Sequence, residues 1–189
     1  MAQPRGGARA RVLETAYELF ANDGVRAVGI DRIIAEANIA KATLYRHFAS
    51  KEELVLAFLD LREQRWTHEW LRGETERRAA TPRERLLVTF DVLHEWFQRP
   101  DFEGCSFINT LLEISDKANA IHRAAVEHLA AIGAILEGYA REAGAMDQRA
   151  MAAQSQILMM GAIVSAGRGD LIAARRARAL TELLLESSR

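Results

Sequence analysis

Between residues 41 and 47 the chain collects Lys41, Thr43, Tyr45, Arg46 and His47, side chains that can all donate hydrogen bonds. Donors gathered on two turns of one helix suit phosphate oxygens and the acceptor edges of bases in a major groove. The same stretch carries Leu44 and Phe48, four apart and therefore on one face if the segment is helical. A helix this short does not stand alone, since isolated helices need roughly 12 to 15 residues. Ile39, Leu44 and Phe48 must pack on neighbouring elements, which leaves the polar set facing outward.

Those neighbours are legible. Ile30, Ile33, Ile34 and Ala37 recur at helical spacing just upstream, and Asn38, which tolerates a left-handed backbone, separates the two patterns. Two short helices meeting at such a corner are a helix-turn-helix. A first helix over Ala8 to Asn22 places Val12, Ala16, Leu19 and Phe20 on one face, with Gly24 as its stop. Three helices around a small core result. Met1 to Ala8 is expected to be a mobile arm with Arg5, Arg9 and Arg11 near its end, either a solvated tail or an arm on phosphates.

Downstream, Ser50 to Glu53 fits a capping box that opens a helix bearing Leu54, Phe58 and Leu61 and continuing past Trp66 and Trp70 to end before Gly73. Residues 73 to 81 are polar and are expected to be a loop. Thr81, Pro82 and Glu84 start the next helix, which runs through Leu86, Phe90, Leu93 and Phe97. A short apolar helix follows Gly104, then a long one near residues 117 to 143, then two more near 147 to 165 and 170 to 186. No β-alternation interrupts these patterns. The fold class is all-α: an N-terminal three-helix helix-turn-helix domain (residues 1–50) joined to a C-terminal helical bundle (51–189, with 51–72 as connecting helix), about nine helices in all.

The run from Ile33 to Leu54 resembles the DNA-binding signature of the TetR family of bacterial transcriptional regulators. Ile33, Ala37, Lys41, Thr43, Leu44, Tyr45, Arg46, His47, Phe48, Ser50, Lys51, Glu52, Glu53 and Leu54 stand as that pattern expects. Ile34, Asn38 and Ala40 depart from it, as do Val28 and Gly29 where threonine or serine is frequent; they remove a side-chain cap from each helix and one phosphate contact at Val28. The resemblance implies a regulator that binds a double-stranded DNA operator, with the helix from Lys51 linking ligand to DNA. Lys41, Ala42, Thr43, Tyr45, Arg46, His47 and Lys51 are the expected DNA contacts, with Tyr45 and His47 open to a packing role instead. Two protomers are needed to read enough sequence, so the operator is expected to be a pseudo-palindrome.

The bundle is rich in aromatic and flexible side chains. Trp66, Trp70, Phe90, Phe97, Phe107 and Met159, with His94 and Asn109 as polar handles, are the expected lining of a pocket for an apolar or aromatic small molecule, and each taken singly also fits an ordinary core. The last two helices have wide apolar faces. Met151, Leu158, Ala162, Ala177, Leu180 and Leu184 are expected to form a homodimer interface around a two-fold axis. A protein partner acting through the bundle is the alternative controller.

Charge agrees with this division of labour. Residues 1 to 51 hold eight Lys/Arg against five Asp/Glu, whereas the remainder hold 17 against 21. One cysteine, Cys105, excludes an internal disulfide; it sits at a helix start and is either an inert thiol or a sensor. No run of about 18 apolar residues stands out, so no membrane span and a cytoplasmic location are expected. No metal-ligand spacing, cofactor motif, phosphate loop or nucleophile elbow is present, so neither cofactor nor enzymatic activity is expected.

Overall fold

A computed structural model describes residues 7–187, and all regular structure among them is helical. Arg5 of the expected arm lies outside the described residues. α1 (Ala8–Asp23) buries Val12, Ala16, Leu19 and Phe20, the four positions whose spacing defines one face. Gly24 ends it at φ +85°, where a Cβ would be strained and would also collide with the Glu113 carboxylate.

α2 (Ile30–Ala37) and α3 (Lys41–His47) follow, joined by Asn38 at φ 50°, ψ 57°. The left-handed residue sits where the sequence places it. Gly29 and Ala40 occupy the two N-cap positions and supply no side-chain cap. α4 (Lys51–Arg62) begins with half of the expected box: Ser50 Oγ accepts the Glu53 N–H at 3.1 Å, but the Glu53 carboxylate takes the N–H of Ala49 at 2.6 Å.

The connecting helix does not end before Gly73. Beyond Arg62 it widens into a π-helical stretch, Glu63–Arg72, and returns to α-helix as α5 (Gly73–Arg78). Ten residues is long for a geometry that usually occupies a single turn. The expectation of a loop over residues 73 to 81 is corrected for residues 73 to 78 and holds only for 79 to 81. Ion pairs one turn apart support α5: Glu74 pairs with Arg77 at 2.6 Å and with Arg78 at 2.9 Å. Thr75 is fully buried and meets Thr89 oxygen to oxygen at 3.5 Å.

α6 (Pro82–Phe97) has the full capping box. Thr81 Oγ accepts the Glu84 N–H at 3.3 Å, and the Glu84 carboxylate accepts the Thr81 N–H at 3.2 Å. The chain is completed by α7 (Ser106–Glu113), α8 (Ala120–Glu142), α9 (Gln148–Gly167) and α10 (Ala173–Ser187). α8 starts later than the apolar pattern alone implies, because the Asp116 and Asn119 side chains accept the N–H groups of Ala118 and Ile121 in a turn before it. With the consecutive helical segments over residues 51 to 78 counted as one helix, the described residues form nine helices.

Packing gathers the chain into two units. The first takes the chain up to Glu63 together with Ser106–His128; the second takes Gln64–Cys105 together with residues from Leu129 onward. In the first, Ile33, Leu44, Phe48, Leu54 and Phe58 are completely buried, and Phe58 meets the rings of Tyr17 and Phe20 at 5.6 and 5.5 Å. Phe107 of α7 stacks on His128 of α8 at 5.1 Å, and the His128 Nδ1 is hydrogen-bonded to Glu63. In the second, α10 packs on α9 and α6, and the rings of Trp66, Trp70, Trp96, Phe97 and Phe102 form one continuous cluster.

By length and composition alone α9 is apolar enough to cross a bilayer, although Arg149, Gln154, Ser155 and Gln156 interrupt it. In this fold its apolar side chains pack on α6 and α10 and form an exposed stripe described below.

Candidate nucleic-acid interface

Leu44 and Phe48, both without exposed surface, fix the rotation of α3 about its own axis. The opposite face is open. Lys41, Ala42, Tyr45 and Arg46 are exposed, and Thr43 and His47 are half-buried at its edges. Tyr45 is 43% exposed. α3 therefore presents two cations, a phenol, a hydroxyl and an imidazole on one short surface, the inventory that phosphate contacts and base-edge hydrogen bonds draw on.

Lys41 lies 3.5 Å from Asp31, with both side chains largely exposed. Such a pair contributes little and is readily exchanged for a phosphate. Arg9, on the first turn of α1, holds its guanidinium 4.8 Å from the Phe48 ring centroid, so one cation of the expected arm is fixed beside the end of α3. Val28 is fully buried.

Lys51 is differently occupied. Its ammonium donates to the Arg26 carbonyl at 3.4 Å, and burial lowers its pKa while the charge of Glu113 opposes that shift. The Arg26 N–H in turn donates to the Glu113 carboxylate at 2.7 Å. Glu113 is a participant that sequence reasoning missed. It lies 87 positions from Arg26, and no local periodicity could announce the contact.

The residues expected to line a pocket separate into two groups. Trp66, Trp70 and Phe97 are joined through Trp96, and Phe90 and Met159 are buried in the same unit. His94 points its Nδ1 at the Leu171 carbonyl at 3.1 Å. Phe107 and Asn109 belong to the first unit, Phe107 buried against His128 and Asn109 exposed on α7. Of the residues expected at a dimer interface, Leu180 is exposed, Leu158 and Leu184 are half-buried, and Met151, Ala162 and Ala177 are buried within the protomer. Ala162 and Ala177 line a groove between α9 and α10, with Ile157, Gly161 and Leu180 at its rim.

Residues 12–58 match the family model described as bacterial regulatory proteins, tetR family. Over nearly its whole length the chain superposes on a TetR-family transcriptional regulator from Streptomyces coelicolor, with 30% identity, a TM-score of 0.87, and coverage of 96% of this chain and 89% of that one. The chain belongs to the TetR family. A second TetR-type regulator of known structure, from Streptomyces avermitilis, gives 29% identity and a TM-score of 0.84 over 97% of this chain and 98% of that one. Among curated relatives, the HTH-type transcriptional activator FasR of Mycolicibacterium smegmatis is 45% identical over 56 residues, 30% of this chain and 26% of that protein. The HTH-type transcriptional regulator QacR of Staphylococcus aureus is 32% identical over 78 residues, 41% of this chain and 40% of that protein. This TetR-family chain thus spans well under half the length of those curated relatives, and their likeness concerns the reading segment. TetR-family proteins are DNA-binding transcriptional regulators rather than enzymes, and that is the class of this protein.

Proposed function

We propose that this TetR-family regulator binds a pseudo-palindromic operator as a homodimer, acts as a repressor in the bacterial cytoplasm, and is released by an apolar or aromatic small molecule. The single observation that carries the DNA half of this reading is the rotation of α3: Leu44 and Phe48 buried, Lys41, Ala42, Tyr45 and Arg46 turned outward. Lys41, Thr43, Tyr45, Arg46 and His47 contact the duplex in this reading. Lys51 acts from behind, through the loop between α1 and α2.

Dimerisation is supported by an apolar stripe. Ile157, Gly161 and Val164 recur at i, i+4 and i+7 on α9, and Leu180 and Leu183 lie exposed on α10. Apolar side chains that recur on one helix face and stay open to water mark an interaction surface. A two-fold dimer burying that stripe presents two copies of α3 to one face of the duplex, about one helical turn or a multiple apart.

Ligand control rests on the aromatic cluster of the second unit. A void lined by Leu71, Thr75, Thr89, Ile132, Leu136 and Tyr139 amounts to about 10 Å³, room for one water. In this reading a ligand binds among the aromatic side chains of the second unit and shifts the protein toward whichever arrangement binds it better. Reciprocity tests this: ligand and operator weaken each other's binding by the same factor. Independent affinities would leave a protein partner as the controller. The operator is found by selecting bound duplexes from a random pool, with a dyad-symmetric sequence as the expected outcome and an unenriched pool as the contrary one.

A further inference from the structure

The geometry points to Glu113, in the last turn of α7, as a positioning residue for operator reading; this rests on the assignment of α3 to the groove. Its carboxylate accepts the Arg26 N–H at 2.7 Å, while Lys51 in the first turn of α4 donates to the Arg26 carbonyl at 3.4 Å. One residue of the loop between α1 and α2 is thus gripped at both of its peptide bonds, the N–H of Arg26 by α7 and its C=O by α4. Gly24 makes the grip possible, since a Cβ there would collide with the carboxylate. The end of α7 is itself anchored, because the His122 Nδ1–H donates to the Ile114 carbonyl at 2.6 Å.

What the grip controls follows from the loop. Val25 and Val28 are buried, and Gly29, one residue further, is the N-cap of α2. α2 packs on α3, so the seat of the loop sets the seat of the reading helix. Glu113 touches no base or phosphate in this account. It fixes where α2 and α3 stand on α1.

Charge and position predict opposite signs, which makes the proposal separable from simple electrostatics. Removing a carboxylate near a DNA-binding surface strengthens binding to any duplex, because phosphate attraction is indifferent to sequence. Loosening the loop weakens only the binding that requires α3 in register. The quantity to measure is the ratio of affinities for the selected duplex and a scrambled duplex of equal length, at fixed salt, for the full-length protein. A loss of folded protein lowers both affinities and leaves the ratio unchanged.

In Glu113→Ala the ratio falls about tenfold, as loss of a charged acceptor allows, while scrambled-duplex binding holds or tightens. Glu113→Gln keeps an amide oxygen for the Arg26 N–H, and its ratio stays within about threefold of wild type. An unchanged ratio in Glu113→Ala, or an equal fall in both variants, overturns the proposal. Hydrogen exchange at the Arg26 amide supplies a second measurement that needs no DNA and no alanine variant. Slow exchange in wild type is expected, and exchange at the rate of an unprotected amide overturns the proposal. If the wild type discriminates no duplex at all, the assignment of α3 fails first and the role of Glu113 falls with it.

Discussion

Arg62 of α4 donates from Nη1 to the Tyr17 hydroxyl of α1 at 3.0 Å, with its guanidinium carbon 5.7 Å from the centroid of that ring. Arg62 is the last residue of α4 before the π-helical stretch and is only 5% exposed. A buried cation on an aromatic face, hydrogen-bonded to the same side chain, ties α1 to the end of the α4 segment.

Arg62→Ala is expected to cost about 1–3 kcal/mol of unfolding free energy, because both the hydrogen bond and the packed stem are lost. Tyr17→Phe removes the hydroxyl alone and costs about 0.5–1.5 kcal/mol. Urea denaturation at matched protein concentration checks both. Equal stability of Arg62→Ala and wild type would show that the contact is incidental.

Leu44 and Tyr45 are adjacent and are expected to fail in different assays. Leu44→Ala opens a cavity under α3 and costs about 2–5 kcal/mol of stability. Tyr45→Ala leaves the melting temperature nearly unchanged and weakens operator binding about tenfold or more, at ~1–3 kcal/mol per good contact. A thermal melt and a gel shift on each variant separate the two. A Tyr45 variant that loses stability and keeps its affinity would reverse the assignment.

How much of this was legible can be traced residue by residue. Asn38, Gly24 and the Thr81 capping box are signals contained within a few positions, and each produced the turn or helix start that its chemistry implies. The helix over residues 73 to 78 was obscured by Gly73 and a polar composition. It is supported by ion pairs one turn apart and by the burial of Thr75 against Thr89, 14 positions away. Likewise, nothing local in residues 106 to 128 says that they pack with the N-terminal helices, and so neither Glu113 nor the stacking of His128 on Phe107 was foreseeable. The outward set on α3 was legible because two buried residues four apart are enough to orient a short helix.

Association of protomers is expected to depend on the stripe of α9 and α10. Ile157 is 68% exposed and Leu183 is 60% exposed, so charging them does not unfold the protomer. Ile157→Glu with Leu183→Glu is expected to give a monomeric mass in light scattering at micromolar concentration, with operator binding lost alongside. A dimeric mass in the double variant would move the interface elsewhere.

Acid sensitivity follows from carboxylates held by arginines. Hydrogen bonds from Arg77 and Arg78 hold the Glu74 pKa below its ordinary 4.5, and one from Arg78 does the same for Glu95. A carboxylate whose folded pKa is depressed contributes stability above its unfolded pKa and loses it as pH falls through the folded value. The melting temperature is therefore expected to decline as pH drops below about 4.5, modestly, since these groups are well solvated. In Glu95→Gln the decline is shallower. An acid limb identical to that of wild type would remove Glu95 from the cause.

The most direct test of the account repeats the selection from random duplexes with Tyr45→Ala and Thr43→Ala in place of wild type. If α3 lies in the major groove of a two-fold complex, each variant relaxes base preference at fixed positions, and it does so symmetrically in both half-sites. Enriched sequences identical to those of the wild type would contradict the assignment of α3 as the reading helix.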